Sequence, residues 1–474
     1  MLNVWLSAIS LLVVFATHWL YRWRNPKCNG KLPPGSMGFP LIGETLNFLV
    51  SNKSLDMPPF IKKRMKKYGP VFRTSLAGRP VVVSSDPEFN YYVFQQEGKL
   101  VERWYMDSFA KLLRQDTTRI NAHKNIHKYL RNLVLGYFGP EALKDKMLPK
   151  LEDAINERML GWSKLSSLEV KKSTAAMIFD FTAEQLFSYE PKKSKENIGE
   201  SFTNFLQGLM SFPINIPGTA YHRCLQNQKK AVDLITNMLE ERKRNPEVHK
   251  GDFLDQVLAD MKTESFLTEK FITYMMFGLL LASFETISST LTLAIKLITD
   301  DPKVVQGLTE EHEAILNSRE DVNSGITWKE YKSMTYTHNV INESLRLASV
   351  APGILRRTIQ DIQVNEYTIP KGWALMVVPA AIQLDPNTYE DPLAFNPRRW
   401  QDISANVTAK NFIPFGAGMT SCAGADFSKV LMGVFLHVLV TKYRWTTIKG
   451  GEVIRSPTLG FGDGFHIRVS AKHG

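Results

Sequence analysis

Cysteine is scarce in this chain of 474 residues: there are three, Cys28, Cys224 and Cys422, far apart and with no CxxC pair among them. Neither a disulfide framework nor a zinc knuckle is supported by that count, and a reducing compartment is the better expectation. Charge is missing from Met1 through Tyr21 if His18 is neutral. No internal repeat is visible. No polar linker beyond residue 44 is long enough to separate two domains, so 44–474 reads as one large domain.

What is present is the composition of a packed protein, 44% hydrophobic, 22% charged and 11% aromatic, which excludes the disordered and collagenous classes. Fifty-eight Lys+Arg against 47 Asp+Glu leave a net charge of +11. That excess favours acidic partners or anionic membranes at long range and does not by itself mean nucleic acid.

Leu2 to Tyr21 as a helix would span roughly 30 Å, enough to cross a bilayer. Trp19, Tyr21 and Trp23 suit an interface, and the pattern reads as a retained anchor over 1–21 rather than a cleaved signal. Arg22, Arg24, Lys27 and Lys31 follow at once, which places the rest of the chain in the cytosol and leaves the sequons at Asn52, Asn342 and Asn406 unglycosylated. Residues 22–43, with Pro33-Pro34-Gly35, read as a basic, proline-rich hinge. Pro70 to Ser84 predicts a strand pair around Gly78-Arg79-Pro80. Helical patterns dominate from about Ala122 to Thr299, with breaks at Gly139-Pro140, Ser188 to Ser201 and Pro213 to Gly218. Strands return at Ile362 to Val378 around Pro370-Lys371-Gly372, and at Gly464 to Val469. A mainly α fold with small β-sheets follows.

Three constellations could carry chemistry. Phe415 to Gly424 sets Cys422 in a glycine-bearing loop just before a helical pattern, where backbone N–H groups favour a thiolate. A lone cysteine is more often structural, but its position and company reverse that weighting. Glu343 and Arg346, at i and i+3, would ordinarily be a weak surface pair. Their apolar setting and Arg399 downstream suggest a three-member network. Phe271 to Ile295 carries a single charge, Glu285, among apolar residues and hydroxyls, and reads as a core helix rather than a second span. Its Glu285-Thr286 pair is either a satisfied core pair or a proton relay.

In this order the pieces resemble a membrane-anchored cytochrome P-450, over nearly the whole chain. Leu32-Pro33-Pro34-Gly35, Pro217-Gly218-Thr219-Ala220-Tyr221 and Lys442-Tyr443-Arg444-Trp445 are similar to the plant microsomal branch that oxidises sterols, brassinosteroids and triterpenoids, nearest the subgroup acting on triterpenoids and steroid side chains. The resemblance implies the cytochrome P-450 fold behind a single N-terminal transmembrane helix in the endoplasmic reticulum membrane. It implies haem b with Cys422 as axial ligand of the iron. It assigns the propionates to His127, Arg131 and Arg356, the proton relay to Glu285 and Thr286, an open oxygen groove to Ala282 and Ser283, and structural support to Glu343, Arg346 and Arg399. Two departures stand out. Thr420 sits two residues before the cysteine, where the family usually has Arg, and Ser283 stands where Gly is more usual. The first puts haem retention at stake.

Substrate-pocket candidates are Trp104, Leu281, Ala282, Val350, Ala351, Leu459 and Phe461, drawn from segments 104–113, 206–217, 281–282, 350–354 and 459–461 that would line the pocket. They are largely apolar and suit a flat polycyclic substrate. Electrons are expected from NADPH through a reductase docking on Lys124, Lys128, Arg131 and Lys429, and the run Lys62 to Lys67 suits lipid headgroups or solvent about equally. The leading function is an NADPH- and O2-dependent monooxygenase that hydroxylates a steroid or triterpenoid, in one or several oxidations that could end in side-chain cleavage. The alternatives are a thiolate-haem isomerase or dehydratase that needs no reductase, disfavoured by the retained Glu285 and Thr286, and a haem-poor, membrane-anchored lipid binder.

Overall fold

A computed structural model describes residues 2–106, 109–110, 124–190, 198–209, 211, 214–245, 247, 250–321 and 324–472. Helices dominate, and the longest, Glu269–Asp300, runs through the largest core cluster. Thr268 caps its start by accepting the N–H of Phe271. Ile272, Phe277, Leu280, Leu291 and Ile298 are buried along it. Its hydroxyl residues bond inward: Thr286, Thr290, Thr292 and Thr299 each donate to the carbonyl four residues back. This helix is long and apolar enough to cross a membrane, but half of its most apolar stretch is buried inside the protein. It is a core helix, as its hydroxyl content predicts.

Around it pack Val170–Phe187, Ala220–Arg244, Thr335–Ala348 and Ala425–Lys442. A five-stranded sheet lies to one side, in the order Val71–Leu76, Arg79–Ser84, Ala374–Val377, Ile354–Thr358, Val101–Arg103. The predicted first strand pair is present, and its turn is Ala77-Gly78, both at positive φ, rather than one centred on Pro80. The later β region divides differently from the sequence reading. Ile362–Val364 pairs with Tyr367–Ile369 across Asn365, whose φ of 52 lets the chain reverse there. Pro370-Lys371-Gly372 then leads into Ala374–Val377 of the large sheet instead of closing a hairpin. Phe465–Ala471 pairs with Tyr443–Gly450, close to expectation.

At the N-terminal end Leu2–Arg24 is a single helix that runs past residue 21, with Leu11, Leu12, Val14 and Phe15 exposed. The segment expected to be a hinge is stitched to the sheet. Arg73 donates to the carbonyl of Pro33 at 2.9 Å, Ser36 N–H bonds Arg73 O, and Met37 is buried. Gly35 lies so close to that strand that a Cβ would stand 2.0 Å from Arg73 O.

Candidate active site

The loop 415–424 is shaped by two glycines at positive φ, Gly416 and Gly418. A Cβ on Gly418 would stand 2.6 Å from the carbonyl of Phe94, so the loop can pack there only without a side chain. Cys422 N–H closes the loop on Phe415 O at 2.8 Å, and the helix Ala425–Lys442 follows. Cys422 lines a cavity of about 490 Å³ and is exposed to that space, with protein packed around it. Burial pushes its thiol above the usual range, opposed by the Gly424 N–H and by the nearby Arg131 guanidinium. The helix-start effect expected from sequence is therefore outweighed by desolvation, and metal binding is what would take the proton from such a thiol.

Opposite the cysteine the central helix presents Ala282, Ser283 and Thr286 to the same cavity. Ala282 and Thr286 also line a second cavity of about 690 Å³, with Leu279, Met275 and Phe271 behind them on one helical face. Thr286 Oγ1 donates to Ala282 O at 3.1 Å. Glu285 lines the larger cavity beside Thr286 and meets Lys171 at 2.6 Å, with about a third of its side chain exposed. Lys171, on the neighbouring helix, had no sequence signal, because it lies over a hundred positions away in an ordinary basic run.

Glu343 and Arg346 form the predicted network and more. Both side chains are fully buried and face each other through two hydrogen bonds, at 2.8 and 2.9 Å. Glu343 also accepts from Arg399 Nε, Trp400 Nε1 and Asn396 N–H, each at 3.0 Å. Arg346 spends its other donors on the carbonyls of Gln383, Pro392 and Ala394. Trp400 and Gln383 were not anticipated.

Of the residues expected at a haem edge, Arg131 donates to Ser421 O at 2.6 Å, one residue from Cys422. Arg356 and Thr420 line the cavity, but the Arg356 guanidinium is paired with Glu97, which sequence reading did not single out. His127 belongs to the helix Lys124–Phe138, and its side chain lies outside the described residues.

The substrate candidates separate. Ala282, Val350 and Ala351 line the smaller cavity, and Leu281 with Ala282 the larger. Trp104, Leu459 and Phe461 belong instead to a hydrophobic cluster under the sheet and are on neither cavity wall, whereas their neighbours Arg103 and Tyr105 line both. Alternation explains the Trp104 case, since adjacent residues of an extended segment face opposite ways. Most of segment 104–113 falls outside the described residues. The basic candidates divide too. Lys128 is exposed, the side chain of Lys124 is outside the described residues, and Lys429 is largely buried, with its pKa lowered by desolvation. Arg64 leaves the Lys62 to Lys67 run to pair with Glu44 beneath it.

Comparison with known proteins agrees with this arrangement. The family model described as Cytochrome P450 matches residues 33–465. The chain is 46% identical to a beta-amyrin 16-alpha-hydroxylase from Maesa lanceolata, over 99% of both chains. It is 47% identical to a cucurbitadienol 11-hydroxylase from Siraitia grosvenorii over 100% of both. Among solved structures, a retinoic-acid-bound cyanobacterial protein superposes with a TM-score of 0.80 at 25% identity, covering 94% of this chain and all of that one.

Proposed function

The chain belongs to the cytochrome P450 family, a haem-thiolate monooxygenase served by a reductase and acting on an apolar substrate, and from that premise we propose that it hydroxylates a triterpenoid with Cys422 as the iron's ligand. The observation that carries the substrate class is end-to-end similarity to two hydroxylases named for triterpenoid substrates. The cavity fits the cofactor: one sulfur faces largely apolar walls that also carry Arg103 and Arg356, which suits a flat macrocycle bearing carboxylates. When bound there, haem supplies the reductive activation of dioxygen.

The protein's own groups then have separable tasks. Cys422 would hold the iron, Arg131 and Arg356 would be available to the haem carboxylates, and the Glu343, Arg346 and Arg399 network fixes the chain around the cysteine loop. Thr286 orders water between the two cavities. Glu285, oriented by Lys171, moves protons from the larger cavity toward it. The 690 Å³ cavity, apolar along Phe271, Met275 and Leu279, takes the polycycle by burial of its faces. NADPH is the source of the reductase's electrons. Leu2–Arg24 anchors the enzyme in the endoplasmic reticulum membrane with residues 44–474 as the cytosolic catalytic domain, supported by the exposed apolar faces of that helix and of Phe39, Leu41 and Leu46.

Product mass after co-expression with a plant reductase in yeast microsomes tests the reading. A triterpene skeleton gaining one oxygen is the expected result. A sterol that has lost side-chain carbons, with the triterpenes untouched, would move the enzyme to the other substrate class. The relay has its own test. Thr286→Ala should keep oxidising NADPH while most of the flux appears as hydrogen peroxide and not as product, because water in the site loses its ordering hydroxyl. Unchanged coupling of NADPH to product would remove Thr286 from the relay.

A further inference from the structure

We propose that Glu97 is a positioning residue of the haem pocket: a buried carboxylate that clamps Arg356 to the backbone just ahead of Cys422 and, through its charge, holds the iron's reduction potential down. The inference rests on the reading of Cys422 as the haem ligand.

The clamp is a closed ring of hydrogen bonds. Glu97 follows the helix Pro87–Gln95, and its side chain is only 3% exposed. Its Oε1 accepts from Arg356 Nε at 2.6 Å and from the Thr420 hydroxyl at 2.8 Å, and its Oε2 accepts the Thr420 N–H at 3.0 Å. The Thr420 hydroxyl in turn accepts from Arg356 Nη2 at 2.6 Å, and Arg356 Nη1 donates to Leu355 O. Three segments distant in sequence meet here: the turn at 97, the strand Ile354–Thr358 and the cysteine loop. The fit is tight, since a Cβ on Gly418 would come within 3.2 Å of the Glu97 carboxylate.

Charge is the second consequence. Arg356 and Thr420 both line the Cys422 cavity, and Thr420 is two residues from the sulfur. With threonine at that position, a single guanidinium offsets the carboxylate and the pair is locally neutral. An arginine at 420 would leave the same cluster at +1. A negative charge in a poorly solvated site near the iron favours the ferric over the ferrous state, because the ferrous centre carries one positive charge fewer. Glu97 therefore opposes reduction, and Thr420 leaves that opposition in place.

The test is a redox titration of the intact membrane enzyme, with ferric and ferrous Soret bands followed through dithionite reduction in the presence of mediators. Glu97→Gln keeps the shape and most acceptor positions and removes the charge, so its midpoint should shift to a more positive potential. Thr420→Arg, which adds a cation and retains Glu97, should shift in the same direction. Glu97→Asp should stay near the wild type, and so should Glu102→Gln, which neutralises a more exposed carboxylate paired with Arg357 on the same sheet. A brace without an electrostatic role predicts equal midpoints for Glu97→Gln and the wild type, and that equality would overturn the proposal. Should Glu97→Gln fail to retain haem, Thr420→Arg decides by the same criterion. If the wild-type enzyme itself lacks a thiolate-type spectrum with carbon monoxide, the underlying reading fails; if that spectrum is present and the midpoints coincide, only the role of Glu97 does.

Discussion

Cys422→Ala is expected to abolish the thiolate-type Soret band of the reduced carbon-monoxide complex and to take product formation to background. The effect should be complete because nothing can replace the sulfur. Cys28 lies beside the carbonyl of Thr368, and Cys224 is buried within the helix Ala220–Arg244; neither lines either cavity. No cluster of three or more His, Cys, Asp or Glu that could hold a metal occurs among the described residues. Cys422→Ser separates ligation from packing. It keeps nearly the same volume on the same loop yet offers a hard oxygen in place of a soft, electron-donating thiolate. A variant at 422 that still showed the thiolate band would refute the assignment outright.

The second large effect is expected from Glu343→Ala, which should leave little or no folded, haem-containing protein. Four donors converge on that carboxylate: the guanidinia of Arg346 and Arg399, the Trp400 indole and the Asn396 amide. Truncation would strand Arg346 without its counter-charge, fully buried among carbonyls. Breaking a buried pair in this way costs about 3–5 kcal/mol, a large part of the roughly 5–15 kcal/mol by which a folded protein is stable. Glu343→Gln retains one acceptor and the side-chain volume but turns an amide toward the guanidinium, so it should be impaired and not absent. The yield of carbon-monoxide-binding pigment per unit of expressed protein, with a thermal melt of whatever is recovered, measures both. Wild-type yield and melting from Glu343→Ala would show that the network is dispensable.

Features carried by local pattern were legible in the sequence. The cysteine loop, the ExxR spacing and the central helix each fit within some thirty residues, and their signals are glycine placement, i to i+3 spacing and a long apolar run with hydroxyls. Long-range partners were not legible. Glu97 reaches Thr420, and Lys171 reaches Glu285, through the tertiary fold, and an isolated Glu or Lys looks like any solvated one. Burial of Lys429, the inward turn of Arg64 and the docking of residues 33–37 onto the sheet are packing outcomes of the same kind. Of the pocket candidates, Trp104 misses by one residue where a strand-like segment alternates, so Arg103 and Tyr105 face the space that it was expected to line.

The back-bonding of the central helix has a bearing on direction. The Thr286 hydroxyl owns one hydrogen, and that hydrogen is committed to Ala282 O. Toward the cavities the residue therefore presents lone pairs, as a hydrogen-bond acceptor. In this arrangement it can hold a water by one of that water's hydrogens and set its orientation, but it has no proton of its own to release without breaking a bond inside the helix. Thr286 works as a fixed bearing over which protons pass, and their source must be sought among its neighbours.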